Sequence, residues 1–458
     1  MHTEISTLDS VSSKNLLLFS FPIFLSLFLS GLYGAIDLWM VGRFALPEDV
    51  SAVSIGGNFM NIVLSLFSGL TIGCTVELAT MLASGDKENA GFVAGTSVRL
   101  FAILGLVFSI LLFFLSPLVA KLMHTPEESL SRTIIYLRVS SLGCIPLSLF
   151  VLLSGIFKAL GNSKIPFIFV GVTSILNVLL NYVFVRFFHI GTLGVALATL
   201  ISECISVILS YIYIHRKHFP FKFAKEQFEA HKGYTRMLLK MGLPIAFEEI
   251  VTEGSFVVVL SFANTMGLYI SAGVGIAGKI LAFVMFIPLT FMQTVSVFSA
   301  FSLGSNNFKD AKKSLYLSLI NSLIFGLIVF VILEFFPNRL VRLFTRDENV
   351  INAAVEFLEV ISLECLLLSI SHSFLGFFEG IERTFFVLSQ GLIATFCVKI
   401  PFAYYFTFVK ESASASLLAA ALEFSSITEV VLCVLYYIVF LHRYNSRSKS
   451  KKPILKKT

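Results

Sequence analysis

Asp37 lies inside a long apolar run from Asn15 to Gly42. An ionised carboxylate at hydrocarbon depth is costly, and a residue of this kind marks an ion pathway or binding site. Three polar residues in similarly apolar segments could complete an oxygen cage around it: Asn177, Asn181 and Thr199. Asn177 and Asn181 are four apart, so their side chains project from one helical face. A carboxylate, two amide oxygens and a hydroxyl are hard ligands suited to a hard cation such as Na⁺, whereas a proton would need only Asp37. The competing role for the asparagines is hydrogen bonding between packed helices.

A second acidic group follows in GLPIAFEEIVTEG, where Glu248, Glu249 and Glu253 fall within six positions. Three carboxylates this close cannot all be ionised in a dry site, so some must be protonated, cation-paired or facing a watery cavity, and this helix is expected to line the central cleft. Further candidates for the same cleft are Glu364, Ser371 and His372 in EFLEVISLECLLLSISHSFLG, with Lys279 and Lys399 as cationic partners. For His372 a neutral ring bonded within the bundle competes with a proton relay. Glu77, Glu203, Glu423 and Glu429 rank lower, as cleft or packing residues.

The elements that must hold these groups are membrane helices. The 458 residues are 56% hydrophobic and only 14% charged, against about a quarter charged in soluble domains. The apolar runs exceed the ~20 residues needed to cross hydrocarbon and recur along the whole chain. They predict twelve helices, near 15–43, 51–83, 91–122, 133–157, 165–187, 191–214, 237–264, 270–303, 314–335, 350–378, 385–408 and 412–441. The first run is too long, and too acidic at Asp37, for the apolar core of a cleaved signal peptide. The six cysteines lie inside predicted helices without metal-ligand spacing and imply neither disulfide nor zinc.

Lysine and arginine set the orientation. With the N-terminus inside, most of the 34 basic residues fall on one side, including Lys87, Lys158, Lys164, the Arg216 to Lys240 cluster and the tail after Arg443; Arg339, Arg342 and Arg346 are the exception. Both termini are therefore expected in the cytoplasm of a multi-pass protein of the cell (inner or plasma) membrane. The tail RYNSRSKSKKPILKKT follows a membrane helix without aromatic interleaving, which fits an anionic leaflet surface rather than nucleic acid.

The chain also repeats itself at an offset of about 220 residues. KNLLLFSFPIFLSL is matched by LLKMGLPIAFEEI, pairing Pro22 with Pro244. AVSIGGN pairs with AGVGIAGK, ASGDKENA with SLGSNNFKDA, and LSGIFKALGNSKIPF with FLGFFEGIERTFFV. Six helices per copy insert in parallel, related by an axis along the membrane normal. The expected fold is an all-α membrane protein with twelve transmembrane helices in two six-helix lobes related by that pseudo-two-fold axis. The N-terminal lobe would span 1–214, a cytoplasmic connector 215–236, the C-terminal lobe 237–442 and a basic cytoplasmic tail 443–458. Pro22 and Pro244 weaken local helix hydrogen bonding and are hinge candidates.

Taken in order, FPIFLSLFLSGLYGAIDLWMVGRF, ASGDKENA, SGIFKALGNSKIP, NVLLNYVF and GTLGVALAT resemble the multidrug and toxic compound extrusion (MATE) family over essentially the whole chain. The resemblance implies an antiporter that exports organic cations or other amphipathic compounds in exchange for Na⁺ or H⁺. It also implies a coupling-cation site at Asp37, Asn177, Asn181 and Thr199. Asn181 stands where some relatives carry Asp, and Leu368 stands near a position where some sodium-coupled members carry an aspartate. With one carboxylate the site neutralises one positive charge, which fits either ion. The alternative within the same superfamily is a flippase for a lipid-linked or amphiphilic substrate, but the intramembrane acids outnumber the bases and favour cationic cargo.

Enzyme chemistry is not expected, since the sequence contains no HExxH, GxSxG, GxGD or histidine cluster. No cofactor beyond Na⁺ or H⁺ as coupling ion is expected, nor a nucleic-acid partner. The expected partners are small amphipathic or cationic molecules and the bilayer, with the monomer as the working form. The 49 phenylalanines do not by themselves single out substrate residues.

Overall fold

In the computed structural model, the described residues are 7–216, 219–221, 225–229, 231–410 and 414–449. Most of the basic tail and parts of the 215–236 connector therefore lie outside the described residues. Twelve long helical spans follow one another: α1 (Ser13–Phe44), α2 (Pro47–Ala83), α3 (Lys87–Leu122), α4 (Glu127–Ala159), α5 (Lys164–Asn181, continuing to Phe187), α6 (Gly191–Arg216), α7 (Lys232–Thr265), α8 (Leu268–Val284 and Phe286–Gly304), α9 (Phe308–Phe335), α10 (Glu348–Ile361 and Glu364–Gly380), α11 (Thr384–Val409) and α12 (Ala415–Lys449). A short turn of helix, Pro337–Val341, precedes α10.

Local chemistry starts these helices. Ser12 accepts from the Asn15 N–H ahead of α1, Asp86 from the Asn89 N–H ahead of α3, and Asp347 from the N–H groups of Asn349 and Val350 ahead of α10. Each satisfies donors that the first helical turn leaves unpaired. Pro47 opens α2, where its missing N–H costs nothing. Both Pro22 and Pro244 sit inside unbroken helices.

Ten of the twelve spans are long and apolar enough to cross a membrane. The other two are α7, which carries the acidic triad, and α10, which residues 362–363 divide into segments of 14 and 17 residues. The helices expected to line the cleft are thus the least suited to face lipid.

The backbone repeats as the sequence does. Gly85 and Asn306 take positive φ in the turns after α2 and α8, and Gly161 and Glu382 do so after α4 and α10. In each pair the two residues are 221 apart. A left-handed Asn or Glu is strained relative to Gly, so the second copy keeps the turn geometry at a cost the first avoids.

Close packing divides the chain into two compact units. Unit 1 holds residues 1–253, 293–317 and 379–385, and unit 2 holds 254–292, 318–378 and 386–458. Unit 1 is built around buried Phe67, Phe101 and Phe157, with a second patch where Leu16, Phe19 and Ile23 of α1 meet Val297, Phe298 and Phe301 of α8. Its helix ends approach through small residues. A Cβ on Gly69 would lie 2.4 Å from Ala246 Cα, one on Gly73 2.7 Å from Gly242 N, and one on Gly304 2.1 Å from the Thr80 carbonyl oxygen. Such contacts are how membrane helices gain van der Waals packing. Unit 2 has its own core of Val274, Phe357, Leu358, Ile361 and Leu418.

Candidate functional site

Within unit 1, α1, α5 and α6 bring the four predicted residues into one hydrogen-bonded chain. Asn181 Nδ2 donates to Asp37 Oδ1 and to Asn177 Oδ1, the latter at 3.0 Å, and Asn177 Nδ2 donates to Thr199 Oγ1 at 3.3 Å. Asp37, Asn177 and Asn181 are all buried, and Thr199 is partly so. Asn181 Oδ1 has no hydrogen-bond donor, and no lysine or arginine forms an ion pair with Asp37 among the described residues. The arrangement therefore presents a buried carboxylate and, beside it, a buried amide oxygen without a donor, and an unpaired buried acceptor is costly.

Backbone irregularity begins where the site does. The α-helix of α5 ends at Asn181, and Tyr182–Phe187 forms a π-helix. Such insertions occur at functional sites because they re-aim side chains without breaking the helix. The repeat-equivalent helix α11 contains two π segments, Ala394–Lys399 and Tyr405–Val409.

Three neighbours enlarge the site. Tyr33 of α1 and Tyr136 of α4 both lie within electrostatic reach of Asp37 and of Glu203. Glu203 is four residues after Thr199 on α6, and its carboxylate lies over Gly143, where a Cβ would come within 2.7 Å of Oε2. Tyr136 in turn packs its ring on Gly56. The sequence ranks Glu203 low and carries no signal that marks the two tyrosines. The i,i+4 spacing of Thr199 and Glu203 was the available signal, repeating the spacing of Asn177 and Asn181.

A second buried aspartate, Asp49, was not singled out either. Its carboxylate meets Arg132 Nη1 at 2.5 Å, Thr192 Oγ1 at 2.6 Å and the backbone N–H groups of Thr192 and Leu46 at 3.1 and 3.2 Å. It ties the start of α2 to α4 and to the start of α6. Gly191, at φ +37°, leaves room for this carboxylate.

The candidates of the second half separate into two groups. Glu248, Glu249 and Glu253 belong to the part of α7 in unit 1, whereas Glu364, His372 and Lys399 belong to unit 2. Glu248 is buried and accepts from Thr252 Oγ1 at 3.0 Å; Glu249 is half-buried beside it; Glu253 is exposed. Glu253 still reaches Glu249 electrostatically, and Glu379, at the end of α10, joins both Glu248 and Glu249.

In unit 2, Lys399 lies within electrostatic reach of Glu364, Glu429 and His372, and its ammonium donates to Ser255 Oγ at 3.2 Å. Glu364 accepts from Ser426 Oγ at 3.1 Å, and Ser371 and His372 Nδ1 are 3.3 Å apart. Lys399 is thus the cation nearest in influence to Glu364 and Glu429, without a direct ion pair to either among the described residues. Lys279 is exposed and joins neither group.

Comparison with known proteins agrees with the repeat. The MatE family model matches residues 22–183 and again 244–405, so its two copies begin at Pro22 and Pro244. The chain is 24% identical over 396 residues to "Probable multidrug resistance protein YpnP" of Bacillus subtilis, covering 86% of this chain and 88% of the relative. It is 25% identical over 392 residues to "Multidrug export protein MepA" of Staphylococcus haemolyticus, covering 84% and 86%. Among solved structures, "Outward-facing conformation of a multidrug resistance MATE family transporter of the MOP superfamily" superposes with a TM-score of 0.88 at 19% identity, covering 94% of this chain and 96% of the other. A MOP superfamily transporter from Pyrococcus furiosus superposes with 0.87 at 20% identity, covering 95% and 96%. These likenesses establish the fold.

Proposed function

The chain belongs to the MatE family, and from that premise we propose that it is a cation-coupled exporter of organic cations or other amphipathic compounds, working by alternating access of two six-helix lobes, 1–214 and 237–442. The observation that carries the coupling role is Asp37 and Asn181: a buried carboxylate without a countercharge beside an amide oxygen without a donor. The names of the relatives, multidrug resistance and multidrug export proteins, support the cargo class.

If Na⁺ is the coupling ion, the oxygens of Asp37, Asn181, Asn177 and Thr199 are hard donors of the kind it takes. If H⁺ is the ion, Asp37 carries it and the amides hold the carboxyl in place. In either case the ion drives transport only by binding one conformation better than another. Binding at Asp37 would replace the Asn181 contact and so alter how α1 sits against α5. The protein would act in the cell membrane as a monomer, with both termini in the cytoplasm.

Dye efflux tests this reading. In inverted vesicles, ethidium movement should be driven by a Na⁺ gradient or by a pH gradient imposed separately, and be lost in Asp37→Asn. Efflux preserved in the mutant would remove Asp37 from the coupling role.

A further inference from the structure

Lys158 and Glu379 occupy equivalent positions in the two copies, each three residues after a matched glycine, Gly155 and Gly376. Both dock on the same stretch of α8, one turn apart. Lys158 Nζ donates to Gln293 Oε1 at 2.9 Å. Glu379 lies by Ser296, and the next residue, Gly380, packs so tightly on α8 that a Cβ would lie 2.4 Å from the Ser296 carbonyl oxygen.

The two residues differ in how they are satisfied. Glu379 has no solvent exposure, and neither carboxylate oxygen has a hydrogen-bond partner. Ser296 Oγ, 3% exposed, is unpartnered as well. Among the described residues, the charged groups within electrostatic reach of Glu379 are Glu248 and Glu249 of α7, both of its own sign, and Lys158 is engaged with Gln293. A carboxylate enclosed beside like charges, with a single serine hydroxyl near it that makes no hydrogen bond to it, is costly to keep ionised.

We propose that Glu379 is a proton-binding site separate from Asp37, and that its proton permits the ends of α7, α8 and α10 to stay packed in unit 1. Loss of the proton places an unpaired anion against Glu248 and favours separation of these ends, which lets water reach the carboxylate. The binding of the proton stands apart from the exporter reading; only its use in the transport cycle rests on that reading.

The test is the distance between spin labels at 87 and 309, exposed positions in the first turns of α3 and α9, in full-length protein in nanodiscs with the native cysteines replaced. In the wild type, the short-distance population should fall as pH rises, with a single midpoint. Glu379→Gln, which mimics the protonated carboxyl, should hold the short distance at every pH, while Asp37→Asn, inactive in efflux, should retain the wild-type midpoint. Ser296→Ala removes the nearest hydroxyl that could stabilise the anion and should move the midpoint upward. A Glu379→Gln protein that titrates like the wild type, a wild type with no pH response, or a response lost in Asp37→Asn would each overturn the proposal. If Glu379→Gln cannot be produced, an unmoved midpoint in Ser296→Ala overturns it instead.

Discussion

Asp37 and Asp49 are both buried aspartates of unit 1, twelve residues apart in sequence, and their surroundings are opposite. Asp49 is saturated: a guanidinium, a hydroxyl and two backbone N–H groups converge on it. Asp37 has Asn181 and, among the described residues, no lysine or arginine paired with it. A fully donated carboxylate is fixed as an anion and locks three helices, whereas a sparsely donated one keeps capacity for a cation. Burial alone therefore does not separate a structural acid from a functional one; the count of donors does.

The contrast is open to attack by mutation. The largest expected effect is in Asp37→Asn, which should abolish gradient-driven efflux in vesicles while the thermal midpoint of the purified protein stays near the wild-type value. Asp49→Asn should do the reverse. Losing the charge that Arg132 meets should cost about 2 kcal/mol of stability, read as a lower midpoint in detergent, with activity per folded molecule maintained. A stable Asp49→Asn protein that has lost coupling would break the distinction.

A smaller effect is expected at Glu203. Glu203→Gln, which keeps the shape of the side chain but cannot ionise, should weaken apparent coupling-ion affinity by about 1 kcal/mol, roughly fivefold, in the ion dependence of efflux, with maximal efflux unchanged. The smallest belongs to Thr199. Thr199→Ser keeps the hydroxyl that Asn177 donates to and should leave the ion dependence unmoved, while Thr199→Val should weaken it by about 0.5 kcal/mol. Equal effects from Ser and Val would show that the methyl, not the oxygen, matters.

Much of this was legible in the residues. Asp37 stood out because a charge in an apolar run is rare, and Asn177 and Asn181 because their spacing aligns them; all four predicted residues join in one chain of hydrogen bonds. The repeat was legible to the point that its matched turns share backbone conformation 221 residues apart. Asp49 was not legible, since an acidic residue early in a helix commonly serves the helix N-terminus, and its partners Arg132 and Thr192 are remote in sequence. The separation of Glu248 from Glu364 was equally hidden. It depends on which ends of α7, α8 and α10 pack together, and long-range packing leaves no local periodicity to read. Nothing in the sequence marks Glu379, and its two carboxylate oxygens without a hydrogen-bond partner set it apart only in three dimensions.

The π-helix at Tyr182–Phe187 carries a consequence for tolerance to changes in chain length. Each i→i+5 turn holds one residue more than an α-helical turn needs, so the segment contains a spare residue already threaded into a continuous helix. Deleting a single residue there should restore an ordinary i→i+4 ladder rather than break the span, whereas the same deletion in α3 would rotate every later side chain of that helix by about 100°. α5 should thus accept a one-residue deletion and fold, while the amide of Asn181 changes its aim relative to the rest of the helix.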